Sequence, residues 1–240
     1  MTMTFSGPVP TDQIRQLPVS ELAMALLRSL GDGRTVNVNN VLRGAEQAFQ
    51  HNGERDCDAL LAKLADAWSW LVAHGLVGPH PSNTSSDWQR VTASGREMAQ
   101  DPKGSARVWA EVRLADVLDS TLEEKVRPIF NLGDYETACF AAMKAVEVEV
   151  RAVSGLDSSL VGVDLMRQAF KPGGPLADPG AHGAEVVALM ELFAGSIGAF
   201  KNPASHRAVH FSDPVEAAEV VQLADLLLRL LRRAQQRSAN

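Results

Sequence analysis

The sequence predicts a mainly α-helical chain built in two parts. Three observations carry this. Ala and Leu are abundant while aromatics make up only 5% of the 240 residues, a balance that favours helix over sheet. Apolar residues recur at helical spacing through most of the chain. Finally, Asp101-Pro102-Lys103-Gly104 interrupts that pattern near the middle and reads as a linker.

The 45% hydrophobic and 22% charged fractions are those of a globular chain, and the length suffices for two cores. Cys57 and Cys139 are too few for a disulfide framework or a thiolate metal site, and they suit a reducing compartment. No apolar run approaches the roughly 20 residues that cross a bilayer. Residues 1–16 lack the basic-then-apolar order of a signal peptide and read as a flexible leader. A cytoplasmic protein without membrane contact is the expectation. The formal net charge of -6 means that nucleic acid would have to meet a local basic patch.

In the first part, Pro18-Val19-Ser20-Glu21 opens a helix bearing Leu22, Leu26, Leu27 and Leu30, which Gly31-Asp32-Gly33 stops. A second helix is expected over 40–50. A third, over 58–74, carries Leu60, Leu61, Leu64, Ala67, Trp68 and Leu71. Gly75-Leu76-Val77-Gly78 is short and apolar, Trp88-Gln89-Arg90-Val91 alternates as a strand does, and Thr92-Ala93-Ser94-Gly95-Arg96 starts a further helix.

Three helices followed by a two-stranded hairpin resemble a winged-helix domain, here over 17–101. That resemblance implies DNA, but the charges oppose it. Residues 1–104 hold nine Lys/Arg against eleven Asp/Glu. The third helix, which would enter the groove, sets Asp58 and Asp66 against Lys63 alone. Arg90 and Arg96 of the wing are the candidate nucleic-acid contacts there. A protein-contacting or structural wing is the better expectation, with DNA a less favoured partner.

The second part follows a linker helix, expected over 105–118 within a linker of 102–119. One helix should run from Leu122 to Phe130 and stop at Gly133. The next opens at Asp134-Tyr135-Glu136 and continues to about Val153. Within it, Val146-Glu147-Val148-Glu149-Val150-Arg151 alternates as a strand would. The unbroken helix-forming run before it and the i,i+4 pair Glu147/Arg151 favour helix. A short helix over 162–170 and an irregular Pro/Gly loop over 171–183 come next. Two long helices then run over 184–200 and from Pro214 onward. The last has the clearest start, with Asp213 before Pro214 and Glu216 beyond. Arg229, Arg232 and Arg233 sit near its end, where the dipole is negative.

Three ordered blocks stand out in this second part. They are Gly133-Asp134-Tyr135-x-x-Ala138, Gly162-Val163-Asp164-Leu165-Met166, and Gly195-x-x-Gly198-Ala199-Phe200-Lys201-Asn202-Pro203-x-x-His206. Together they resemble the Ymh-type family of the HEPN superfamily, over about 120–236. The resemblance implies a C-terminal HEPN-like helical bundle, a homodimer through that domain, and metal-independent RNase activity without a cofactor. It further implies that His206 is general acid or base, Lys201 stabilises phosphate charge and Asn202 orients the site. A role as defence or toxin-like effector goes with it.

The chemistry of these residue types agrees. Imidazole exchanges protons near neutral pH, a neighbouring cation stabilises a phosphate gaining charge, and Pro203 interrupts the helical ladder so that backbone N–H groups stay open to an anion. Arg207 is a further candidate nucleic-acid contact. One departure matters: Lys201 stands where the family usually has Arg, and an ammonium cannot grip two phosphate oxygens as a planar fork does.

Plainer readings stand beside these. Asn-Pro after a long helix is an ordinary stop signal, and His206 could cap an end. His206 and His210 share the i,i+4 spacing of a zinc helix, yet Arg207 follows where Glu is expected and no third ligand appears. Gly195-Ser196 lies in a helix rather than at a nucleophile elbow. His182 should be solvent-exposed and mobile, and both cysteines should be buried small residues. The competing functions are a non-catalytic nucleotide- or partner-binding sensor and a winged-helix DNA-binding regulator.

Overall fold

In the computed structural model, the chain divides into two units, Met1–Val108 and Trp109–Asn240. The structure describes residues 7–83, 85–115, 117–201, 211 and 213–238, the last as backbone only. Among them are twelve helices and one small sheet.

The first unit contains α1 (Thr11–Gln16), α2 (Val19–Ser29), β1 (Val36–Asn37), α3 (Val38–His51), α4 (Cys57–Ala73), β2 (Val77–Pro79), β3 (Trp88–Val91) and α5 (Ala93–Gln100). The sheet is antiparallel in the order β1-β3-β2, with Val36 opposite Gln89 and Val77 opposite Val91. Leu22, Leu26 and Leu27 of α2 pack with Phe49, Leu64, Leu71 and Val91 into one core. The Trp68 indole donates to Gln89 Oε1 at 2.8 Å and fastens α4 to β3. Gly95 matters for close approach: a Cβ there would collide with the Leu76 carbonyl oxygen.

Two expectations need correcting here. Residues 11–16, read as flexible leader, form α1 and bury Ile14 completely. The hairpin has a third strand, β1, which two residues are too few to announce by alternation. Asn37 ends that strand and caps α3, its side chain accepting from Asn40 N at 3.1 Å.

α6 (Gly104–Arg113) spans the division between the units. It stops five residues short of the expected end. Its last carbonyls find side-chain donors instead, Gln222 Nε2 on Arg113 O at 2.7 Å and Arg127 Nη2 on Leu114 O at 2.5 Å.

The second unit continues with α7 (Ser120–Lys125), α8 (Arg127–Asn131), α9 (Tyr135–Ser154), α10 (Gly162–Phe170), α11 (Gly183–Phe200) and α12 (Pro214–Ser238). The single helix expected over 122–130 is broken at Val126, because Pro128 has no N–H to continue the ladder. The alternating run 146–151 is helical. Phe130, Met143, Val146, Val150, Phe170, Phe193, Ile197, Val221 and Leu228 belong to the core of this unit. Residues 171–182 form no helix or strand.

His182 is exposed but held. It caps α11, Nδ1 accepting from Ala184 N at 3.3 Å while Glu185 accepts the His182 N–H at 3.3 Å. By length and composition α11 could cross a bilayer, contrary to the expectation that no segment could. Its Phe193, Ala194 and Ile197 are nonetheless buried in the core, and Glu191 pairs with Arg167 of α10 at 3.5 Å.

The two thiols differ. Cys57 is half-buried and donates to Glu54 O at 3.1 Å, whereas Cys139 is fully buried. Burial, with a smaller contribution from Glu216, pushes the Cys139 thiol up to about 12.

The start of α7 is tied to α12 by an ionic clamp. Asp119 caps α7 by accepting from Thr121 N at 3.0 Å and meets Arg232 at 2.9 Å. Its own N–H donates to Asp225 Oδ1 at 2.6 Å, and Asp225 in turn accepts from Arg229 at 2.6 Å. Asp119→Ala removes a cap and a pair together. Arg232 is half-exposed and the pair is discounted for that, so the expected loss is about 2 kcal/mol in urea unfolding. An unchanged midpoint would remove the clamp from this account.

Candidate functional site

The site grows from a charged residue on a buried helix face. On α9, Cys139, Met143, Val146 and Val150 point into the core. The 3.6-residue period puts Glu147, four residues after Met143, on that same face. Only 7% of its side chain is exposed. A buried carboxylate is costly unless it is paired and hydrogen-bonded, and two cations supply this. Arg151, one turn later, donates from Nη2 to Glu147 Oε1 at 2.9 Å. Lys201, just past the end of α11, brings Nζ to Glu147 Oε2 at 2.6 Å.

Backbone geometry completes the setting. Gly162 opens α10 with φ of 56°, a left-handed conformation that suits a residue without Cβ. Its N–H reaches toward the Glu147 carboxylate. Arg151 Nη2 also donates to the Leu160 carbonyl at 3.1 Å and pins the connection between α9 and α10. Burial alone would raise the Glu147 pKa. The hydrogen bonds from Lys201 and Arg151, the Lys201 charge and the Gly162 N–H outweigh it and hold the carboxyl below its usual range.

One carboxylate thus meets two cations among the described residues. The Lys201 side chain keeps 16% of its surface and that of Arg151 keeps 28%. A group of this kind orders a helix end and favours anions beside it.

The three sequence blocks find local reasons. Gly133 is left-handed, and Asp134 after it caps α9 by accepting from Thr137 N at 3.2 Å. Gly162 bends the chain into Glu147. Gly198 lets α11 approach α10, where a Cβ would stand 3.4 Å from Val163 Cγ2.

Residues 116–231 match the model of a family described as "Protein of unknown function (Hypoth_ymh)". This stretch of the chain is a Hypoth_Ymh family domain. No curated protein and no solved structure matches the chain.

Of the predicted site residues, Lys201 lies in this cluster of the Ymh domain, with its ammonium engaged by Glu147. Asn202, His206 and Arg207, with His210, lie outside the described residues. Arg90 lies on β3 and Arg96 on α5, both in the first unit. Arg96 is exposed and donates to the Val91 carbonyl at 2.8 Å. Among the described residues no group of three His, Cys, Asp or Glu is placed to hold a metal ion.

The functional reading of the sequence missed Glu147 and Arg151. The signal was present, because a lone Glu on the apolar face of a core helix demands a cation.

Glu147 titrates below its ordinary value, so its contribution to stability is full above about pH 4.3, the unfolded reference. That contribution is lost as the pH falls through the lower folded value. Glu147→Gln should cost about 3 kcal/mol at neutral pH. It should also flatten the acid limb of stability relative to wild type, as measured by urea unfolding between pH 7 and 3. Parallel acid limbs would show that the carboxylate is not the titrating partner.

Proposed function

We propose that the Ymh domain is a metal-independent ribonuclease of the HEPN type. The observation that carries the reading is the convergence of the two cations Arg151 and Lys201 on Glu147, at the helix end that leads into Asn202-Pro203-x-x-His206. In this reading an RNA 2′-oxygen attacks the adjacent phosphorus and the bond from phosphorus to the 5′-oxygen breaks. The 2′-hydroxyl proton goes to a base, and the leaving 5′-oxygen receives one from an acid. His206 is the group able to serve in either direction near neutral pH. The cationic cluster stabilises the charge that builds on the phosphate oxygens, and Asn202 orients the substrate.

The homodimer that goes with the resemblance would bring two such ends together. The exposed side of α11 offers a stripe of small and apolar residues for it, with Val187 and Leu192 among Ala184, Ala188, Gly195 and Ala199, and with Glu191 on the same face. Leu192→Arg is expected to halve the mass read by light scattering on a sizing column. A mass that Leu192→Arg leaves unchanged would exclude this face.

The engagement of Lys201 by Glu147 favours a second reading, a nucleotide-binding domain without cleavage. One experiment separates the two. Purified full-length protein, incubated with mixed single-stranded RNAs in EDTA, should produce fragments ending in cyclic phosphate. His206→Ala should lower the rate at least about a hundredfold with an unchanged melting temperature. Intact RNA with both proteins, together with a nucleotide that raises the melting temperature, would establish the binding reading instead.

A further inference from the structure

The connection between α10 and α11 runs over residues 171–182, longer than the roughly 2–8 residues that usually join packed helices. It is nonetheless tied down. Leu176 is buried in the core and donates its N–H to Ala169 O at 2.9 Å. Asp178 turns the chain, its Oδ1 accepting from Gly180 N at 2.9 Å and its carbonyl from Ala181 N at 3.3 Å. Between this loop, the first turn of α11 and the last turns of α12 lies a hollow of about 600 Å³. That size falls within the range of small-molecule sites.

Its walls are largely apolar, with Pro172, Pro175, Pro179 and Val186, and they carry one ion pair. Arg237 Nε meets Asp178 Oδ2 at 3.2 Å, and both residues line the hollow. Arg237 has no other partner among the described residues, which leaves both of its Nη groups unspent. The Asp178 carboxylate also keeps capacity, since its two oxygens offer about four acceptor sites. The two side chains keep 40% and 33% of their surface, and a pair so exposed adds little to stability.

The pair defines the ligand. Its charges cancel, so the hollow selects neither an anion nor a cation. It offers a donor-only group beside an acceptor-only group, between proline rings suited to the faces of a flat molecule. A nucleobase has that shape and that kind of edge. Guanine matches it with the most bonds: O6 accepts from Arg237, while N1–H and N2–H both donate to the one carboxylate. Adenine and cytosine offer the carboxylate only an amino N–H, and uracil only a ring N–H.

We propose that the hollow between the 171–182 loop and α12 binds a guanine base, with Arg237 on O6 and Asp178 on N1 and N2. Lys201 follows the opposite end of the 18-residue α11, roughly 27 Å away at 1.5 Å per residue. The inference therefore does not rest on the ribonuclease reading. The base comes either in a free nucleotide or in a single strand, and the guanine edge is common to both.

The full chain is titrated with the 5′-monophosphates of guanosine, inosine, adenosine, cytidine and uridine while thermal unfolding is followed. These share one phosphoribose, so differences among them report the base. Two 2′-O-methyl pentanucleotides that cannot be cut, one all uracil and one with a central guanine, test the strand. Guanosine monophosphate or the guanine-containing strand should raise the melting temperature most. Inosine monophosphate, which lacks the N2 amino group, should bind about tenfold more weakly than its guanosine counterpart. A response to the guanine strand alone identifies a base within a chain, and a response to the mononucleotide alone a free nucleotide.

Arg237→Gln should weaken the responding probe about tenfold or more. Asp178→Asn should erase the preference for guanine over hypoxanthine, read on whichever carrier responds. A pair that only fastens the loop to α12 would not produce that change. Circular dichroism shows whether both variants fold, and Arg237→Gln, near the exposed end of α12, carries the test if Asp178→Asn does not. Wild type indifferent to every probe, equal responses to all bases, or variants that keep wild-type affinity and selectivity would overturn the assignment. Guanine binding by a protein that cuts no RNA would overturn the nuclease reading and leave this one standing.

Discussion

A single carboxylate organises the C-terminal unit. Glu147 sits where α9 buries its apolar face, and it can remain ionised there only because Arg151 and Lys201 converge on it. That requirement reaches three separate parts of the chain. It fixes the last turns of α9, bends the entry to α10 through the left-handed Gly162, and sets the point where α11 ends. Replacing such a group by an apolar residue often costs little in other proteins. Here the arrangement places an ordered pair of cations, Arg151 and Lys201, around that carboxylate.

The rest of the unit is built to keep that arrangement still. Apolar burial around Met143, Phe170, Phe193 and Ile197 packs α9, α10 and α11 together beneath the polar ties of Glu147 and of Arg167 with Glu191. Asp119 and Asp225, with Arg229 and Arg232, lock the start of α7 to α12. Charge is therefore used twice for different ends. In the clamp, two carboxylates meet two arginines and the local balance is neutral. In the Glu147 cluster one carboxylate meets two cations among the described residues.

Much of the fold was legible in the sequence because helices announce themselves over many residues. The α2, α4 and α9–α12 periods, the Asp213-Pro214 start and the β3 alternation all lie close to where pattern and caps place them. What escaped was short or depended on distant partners. β1 is two residues long and exists only because β3 offers an edge. α1 needs the N-terminal core to bury Ile14, and the break at Val126 turns on one missing N–H at Pro128. For the site, Lys201 was readable from the Phe200-Lys201-Asn202-Pro203 block. Arg151 was seen only as a helix-stabilising partner of Glu147, because sequence spacing shows i,i+4 neighbours and not a lysine 50 residues further on.

The two cysteines divide between the units. The reactive species of cysteine is the thiolate, and the Cys139 thiol, which lies against the Ala217 carbonyl of α12, is pushed up to about 12 by its burial and, to a smaller extent, by the charge of Glu216. An alkylating reagent would therefore find Cys57 first and meet Cys139 only when α12 lifts away from α9. The chain carries its own pair of chemical clocks, one for each unit, with no engineered label required.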